Sequence, residues 1–312
     1  MKARPEPVSW QGVKGAVYPD FPLAPLTTWK IGGPAQFLVA PQDLEDVLAL
    51  HRLAGSRGWP LFFLGRGSNV LIADGGLPGI TLHLAKTFQH VERRQDTVRV
   101  GAGVALPRLA RIMAGWGKKG FEFLAGIPGT VGGAVRLNAG AHGRNLGERL
   151  KRVWVATPAL EFKELTVSEI SPGYRTSRLL HMPQWLVLEA EFTFSEEASP
   201  EEIERLMRQF LEERRARQPA NPRTCGSVFK NPPDGPPAGR LIEEAGWKGR
   251  SLGAAQVSHK HANFIINRGG ATAADTASLM TAIEEDVWQR SGIRLEREVV
   301  LMPEDAGFME TP

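Results

Sequence analysis

Apolar residues recur at helical spacing in several stretches of the chain and run together in others, with glycine-rich breaks between them. In PQDLEDVLALHRLAGSRG, Leu44, Val47, Leu48 and His51 fall on one helical face, and glycines close the segment. WPLFFLG reads as a buried strand that leads into the loop GRGSNVLIADGG. DTVRVGAG reads as another strand, with a helix after Pro107 in LPRLARIMAGWG and then the long segment FLAGIPGTVGGAVRLNAGAHG. The β-branched runs RVWVATPAL and WLVLEAEFTF follow, so residues 1–195 read as mixed α and β with many glycine turns.

A boundary is expected at SEEASPEEIERLMRQFLEERRARQP. Ser199 suits an N-cap, Pro200 the first helical position and Glu202 the capping-box place, while Ile203, Leu206, Met207, Phe210 and Leu211 form an apolar stripe. A second long helix, TAADTASLMTAIEEDVWQRSG, carries Leu279, Ile283 and Val287 on one face and stops at Gly292. IRLEREVVLM alternates as a strand, which would project Arg294, Glu296 and Glu298 from one side.

With 312 residues, 42% hydrophobic and 23% charged, the chain can bury a large core and is expected to divide into two or three domains. One cysteine permits no internal disulfide, and MKARPEPVSWQGVKG lacks the apolar region of a secretory signal, so a cytoplasmic protein is expected, and separately a monomer. No apolar run approaches the ~18 residues of a membrane span. The net charge of +4 is modest and its basic residues are scattered. This argues against nucleic acid as a partner and suits small phosphorylated ligands.

Most common catalytic signatures are missing: there is no GxxxxGK[ST], HExxH, CxxC or GxSxG. VRVGAGVAL has two glycines of a dinucleotide fingerprint, but the third position is Leu106, Pro107 follows and no suitably placed acid is evident, so a Rossmann site is rejected. His259 and His261 of SHKH would share a face in an extended segment, yet two histidines without a third ligand predict no metal site. The small residues of GRGSNV could bare backbone N–H groups to an anion, or simply make a tight turn. Five glycines in GIPGTVGGAVRLNAG could add donors for the same ligand, which would then be a large phosphorylated cofactor. Arg175, in SPGYRTSRL, could clamp a carboxylate or phosphate, or make a surface ion pair. In CGSVFKNP, Cys225 could be a nucleophile or a small buried apolar group, and Ser227 a catalytic or a turn hydroxyl.

These segments, taken with TTWKIGGPAQFLVAP, LGRGSNVLIADGG, AGRLIEEAGWKG, AAQVSHKHANFIIN and LEREV, resemble one family. It is the UDP-N-acetylenolpyruvoylglucosamine reductases (UDP-N-acetylmuramate dehydrogenases) of peptidoglycan synthesis. The resemblance runs over most of residues 27–300. No long insertion follows YRTS, which matches the shorter form without an extra substrate-covering loop.

The resemblance implies an α+β fold: a two-subdomain FAD-binding module of the vanillyl-alcohol oxidase (PCMH-type) superfamily plus a C-terminal substrate-binding domain. On this sequence that means a lead at 1–26, an FAD region at 27–195 (subdomains near 27–85 and 86–195), a substrate domain at 196–303 and a tail at 304–312. It implies noncovalent FAD held by Gly65, Arg66, Gly67, Ser68 and Asn69, and by Gly126, Ile127, Pro128, Gly129, Gly132, Gly133, Ala134 and Asn138. NADPH would be the reductant, sharing one pocket in turn with the enolpyruvyl ether of UDP-N-acetylglucosamine. Tyr174, Arg217, Lys230, Asn231 and His261 would contact substrate.

Hydride added at C3 of an enolpyruvyl ether leaves negative charge at C2 and on the carboxylate, so the site must stabilise charge and deliver a proton to C2. Family correspondence assigns Arg175 and Glu298 to the carboxylate and Ser227 to proton donation. Pattern alone leaves Glu296 and Glu298 tied, and only the motif selects Glu298. No covalent protein intermediate is required, which turns the choice between Cys225 and Ser227 toward serine. One departure stands out: the family commonly follows its glutamate with Val-Arg, and this chain reads EVVLMPED. Two other readings compete, a flavin oxidase of the same superfamily acting on an alcohol or sugar, and a non-enzymatic nucleotide-sugar binding protein.

Overall fold

The computed structural model describes residues 5–194, 196–219 and 223–303; the expected tail at 304–312 and the first residues of the expected lead lie outside them. The fold is α+β and divides into two compact units. The first comprises residues 1–19, 37–66 and 78–214, the second 20–36, 67–77 and 215–312.

The first unit is built on a five-stranded antiparallel sheet in the order Phe162–Thr166, Leu150–Ala156, Leu186–Thr193, Thr97–Gly101, Val91–Arg93. Alternation along these strands buries Val98, Val100, Val153, Val155, Ala190 and Phe192 on one face. Against that face pack helix Leu106–Gly115, through Leu109 and Met113, and the short helix Val131–Leu137, through Val131, Ala134 and Val135. Helix Pro200–Arg217 adds Ile203 and Met207, and the Ser199 hydroxyl accepts the Glu202 N–H, as a capping residue should.

Most of a four-stranded sheet also belongs to this unit, in the order Val17–Pro22, Pro34–Val39, Leu77–His83, Leu61–Leu64, the last two strands parallel. Helix Leu44–Arg57 covers it and ends at Gly58 in the left-handed region. Its buried face is Val47, Leu50 and Ala54 rather than the expected 44, 47, 48 and 51. The difference is a rotation of the stripe toward small and branched residues that fit the sheet, which leaves Leu44, Leu48 and His51 half-buried at its edge.

The second unit packs helices Ala238–Glu244 and Ala273–Ser291 with a three-stranded sheet, Ser251–Leu252, Ala255–Val257 and Ile265–Asn267. Leu279, Ile283 and Val287 are the buried face of the long helix, as their spacing predicts. Trp29 is fully buried here: its indole donates to the Ile265 carbonyl at 2.9 Å, and its own carbonyl accepts from Asn267 at 3.0 Å. Asp74 caps the long helix from another part of the chain, taking the Ala273 and Ala274 N–H groups at 2.8 and 2.9 Å. The expected strand at IRLEREVVLM is only Val300–Met302, paired in parallel with Val70–Ile72. A bend at Val299 interrupts it, so 294–298 do not continue its alternation.

Candidate functional site

In the first unit the two glycine-rich loops meet. A Cβ at Gly65 would lie 2.8 Å from Thr130 Oγ1, so only glycine lets the end of strand Leu61–Leu64 come this close. Gly126 ends a 3-10 turn, the Ile127-Pro128-Gly129 link follows, and Thr130 starts helix Val131–Leu137, which Asn138 closes in the left-handed region. Gly132 is pressed against Ala102, while Gly133 is exposed, with only Thr130 Oγ1 near the place a Cβ would take. Ala134 faces the core. Bare backbone at Gly133, beside Gly65, fits a large phosphorylated cofactor, whose oxygens need N–H donors and close approach. Arg66, of the same unit, is exposed.

The Tyr174-Arg175-Thr176-Ser177 segment is a tight hairpin fixed to the far end of that helix. The Gly173 N–H donates to the Thr176 carbonyl at 2.9 Å, and Asn138 Nδ2 to the Gly173 carbonyl at 2.7 Å. Ser177 Oγ donates to the Arg136 carbonyl at 2.7 Å. Arg175 has φ +54°, a conformation that costs a non-glycine residue, and its Nη2 donates to the Gly140 carbonyl at 2.8 Å. Tyr174 is 56% exposed, its ring 5.4 Å from the Arg175 guanidinium.

Arg214 is a residue of this unit that sequence reasoning missed. A Cβ on Gly126 would meet its Cδ at 3.0 Å, and burial lowers its pKa. The run ERRARQ reads as cations at a helix end, yet Arg214 continues the 207, 210, 211 stripe, and that spacing was the available signal.

In the second unit, Ser227, Asn231 and His261 line one cleft of about 320 Å³ together with Arg240, Lys260 and Asn263. Ser227 opens an extended segment held on both sides. On one side the Glu298 N–H donates to the Val228 carbonyl and the Lys230 N–H to the Glu296 carbonyl, both at 2.8 Å, around a bridge between Phe229 and Arg297. On the other, Ser227 bridges Phe264, and the Val228 N–H donates to the Asn263 carbonyl at 2.9 Å.

This pairing separates the two glutamates. Glu296 is exposed and pairs with Lys230, whereas Glu298 is half-buried and its charge reaches Cys225. Arg297, on the segment between them, is anchored to the long helix by Glu284 Oε1 and Oε2 at 2.6 and 2.7 Å and by Thr281 at 3.0 Å. Asn69 Nδ2 donates to the Glu298 carbonyl at 2.9 Å, and the Val300 N–H to the Asn69 carbonyl at 3.1 Å. Gly67 and Ser68 precede it in the second unit, and Gly67, φ +58°, is buried against Leu26.

His261 Nδ1 accepts the Asn263 N–H at 3.2 Å, which puts the ring proton of its neutral form on Nε2; burial and then Lys248 lower its pKa. Asn231 Oδ1 caps helix Ala238–Glu244 by accepting the Ala238 N–H at 3.0 Å. Arg217 ends its helix exposed and does not line the cleft. His259 and Lys260 sit in a bend, so the extended form in which His259 and His261 would share a face is not adopted, and no group of three metal-ligating side chains occurs among the described residues.

Cys225 is buried, and that burial, then the Glu298 charge, push its thiol well above the usual range. Such a thiol is a poor nucleophile at neutral pH.

Comparison with known proteins adds the chemistry that geometry leaves open. Residues 218–302 match the family described as UDP-N-acetylenolpyruvoylglucosamine reductase, C-terminal domain, and residues 35–159 match an FAD binding domain. A UDP-N-acetylenolpyruvoylglucosamine reductase of Carboxydothermus hydrogenoformans is 43% identical over 292 residues, 94% of this chain and 96% of that one. Another, from Halalkalibacterium halodurans, is 42% identical over 93% of this chain and 95% of its own. The crystal structure of the Thermus caldophilus enzyme of the same name is 33% identical and superposes with a TM-score of 0.76, covering 93% of this chain and all of that one.

Proposed function

The chain belongs to the UDP-N-acetylenolpyruvoylglucosamine reductase family, and from that membership we propose how its residues divide the work. It is an FAD-dependent oxidoreductase that uses NADPH to reduce the enolpyruvyl ether of UDP-N-acetylglucosamine to UDP-N-acetylmuramate, a step of peptidoglycan synthesis.

When bound, FAD supplies hydride to C3 of the enolpyruvyl group. The residues proposed to hold it, noncovalently, are Gly65, Arg66, Gly67, Ser68 and Asn69 with Gly126, Ile127, Pro128, Gly129, Gly132, Gly133, Ala134 and Asn138. The meeting of Gly65 with Thr130 and the bare backbone at Gly133 support the reading for the first-unit members.

Ser227 gives the proton to C2, and its Oγ must be held at one place for that transfer to compete with solvent. Arg175 offers positive charge to the substrate carboxylate, where charge accumulates after hydride arrives. Glu298 shares the carboxylate-binding role. Tyr174, Arg217, Lys230, Asn231 and His261 serve the rest of the substrate. The substrate domain at 196–303 supplies most of them, and Tyr174 comes from the FAD region at 27–195. The single observation that carries the reading is the cleft in which Ser227, Asn231 and His261 converge, with Glu298 one hydrogen-bonded pairing away at Val228.

The protein acts as a monomer in the cytoplasm, where NADPH and nucleotide sugars are at hand, and needs neither nucleic acid nor membrane. The direct test is anaerobic: NADPH should bleach the flavin, the enolpyruvyl sugar nucleotide should restore its colour, and mass spectrometry should find the product heavier by one hydride and one proton. A flavin that NADPH bleaches but this substrate never reoxidises would sink the assignment.

A further inference from the structure

We infer that Asn263 is a positioning residue for Ser227, a role that rests on the reading of Ser227 as the proton donor. A serine hydroxyl rotates about one bond, so its place is decided by the backbone that carries it. On the N-terminal side that backbone is permissive: Gly226 has φ +93° and nothing near the place a Cβ would take. Fixation has to come from the C-terminal side, where Asn263 supplies three contacts.

Its side-chain amide brackets Phe229, Oδ1 accepting the Phe229 N–H at 2.9 Å and Nδ2 donating to the Phe229 carbonyl at 2.8 Å. Its main-chain carbonyl accepts the Val228 N–H at 2.9 Å. The carboxamide thus completes a backbone pairing that the next residue, Phe264, begins by bridging Ser227. Asn263 is 4% exposed, so water cannot replace these bonds at no cost. A side chain with both a donor and an acceptor at this reach is required, which aspartate, leucine and serine each fail in a different way. Asn263 also lines the cleft beside Ser227, and its N–H holds His261 Nδ1, so one residue links the proton donor's backbone to a second cleft residue.

A displacement of the donor by a fraction of an ångström should slow proton delivery without touching the delivery of electrons from NADPH. The experiment uses the FAD-loaded full chain and follows both half-reactions by stopped flow for the parent, Asn263→Leu, Ser227→Ala and the double variant. Asn263→Leu keeps the volume and removes both amide contacts. It should slow flavin reoxidation by the enolpyruvyl sugar nucleotide about 10- to 100-fold and leave NADPH reduction within about 2-fold. Its solvent isotope effect on reoxidation should rise, because proton transfer becomes more nearly rate-limiting. The double variant should be no slower than Ser227→Ala alone, since a residue that acts through Ser227 has nothing left to position.

Multiplicative slowing in the double variant, an unchanged reoxidation rate in Asn263→Leu, or equal slowing of both half-reactions would overturn the inference. If Ser227→Ala itself reoxidises at the parent rate, the proton-donor reading falls and takes this one with it, an outcome distinct from the failure of Asn263 alone. Should Asn263→Leu fail to load FAD, Asn263→Ser, which retains one short polar group, is read by the same criteria.

Discussion

The carboxylate of Glu298 raises the proton affinity of the buried Cys225 thiol, second only to burial itself. The two side chains therefore lie near each other in the second unit, one residue before Gly226 and two before Ser227 on the cysteine's side. A raised thiol pKa and burial describe a packing residue, and they answer the question that a lone cysteine beside a serine poses.

Cys225→Ala should keep turnover within a few-fold of the parent, with some loss of stability, because truncating a small buried group costs packing rather than transition-state contacts. The native thiol should resist alkylation by iodoacetamide at about pH 8 and react quickly once unfolded. Rapid native alkylation accompanied by loss of activity would restore the nucleophile reading.

Arg297 and Glu284 tie the Glu298 segment to the long helix through two hydrogen bonds, each side chain about a quarter exposed. Arg297→Met should destabilise the protein by about 2 kcal/mol, since it leaves Glu284 without its charged donor. Glu284→Gln should cost less. Chemical denaturation of both single variants and the double variant checks this; a double variant as unstable as the two losses added would deny the coupling.

His51, His83 and His261 all have pKa values lowered by burial from 6.5. The folded state therefore resists protonation more than the unfolded chain does. Stability should be full above about pH 6.5 and fall as the pH drops below it, where the unfolded state binds more protons. For His261 protonation would also break the Asn263 N–H to Nδ1 bond. Urea midpoints at about pH 7.5 and 5.5 should show the loss, and His261→Gln should shrink it. A pH-independent midpoint would contradict the sign.

Gly65→Val should lower FAD content without unfolding the chain, because the new side chain strikes Thr130 where the two loops meet. The ratio of flavin to protein absorbance reads this, with circular dichroism as the control. Acid precipitation of the parent should release all the flavin to the supernatant, and yellow colour left in the pellet would refute noncovalent binding.

Much of this molecule was legible because local chemistry and the fold agree. Ser199 caps its helix with its hydroxyl, Gly58 and Gly292 close theirs in the left-handed backbone that the lack of a Cβ allows, and Leu279, Ile283 and Val287 are buried as spaced. The helix at 44–57 was found but its face was rotated, since several apolar positions competed and only the sheet beneath chooses Leu50 and Ala54. The alternation of IRLEREVV predicted one long strand; the partners at Val228 and Val70 lie far away in sequence, and the bend at Val299 lets each take its own piece. Asn263 escaped notice because its importance lies in the backbone of Phe229 that it touches, a contact that leaves no trace in periodicity, whereas Arg214 continues the 207, 210, 211 spacing but reads as one more cation at a helix end.

The central claim is that Ser227 delivers the proton to C2, and Ser227→Ala tests it most directly in a stopped-flow comparison of the two half-reactions. NADPH should bleach the variant's flavin at close to the parent rate, while reoxidation by the enolpyruvyl sugar nucleotide should slow by about 10² to 10⁴. Ser227→Cys, which keeps a donatable proton nearby, should recover part of the loss. Equal slowing of both half-reactions, with no recovery in the cysteine variant, would contradict the account and leave Ser227 a structural residue of the cleft.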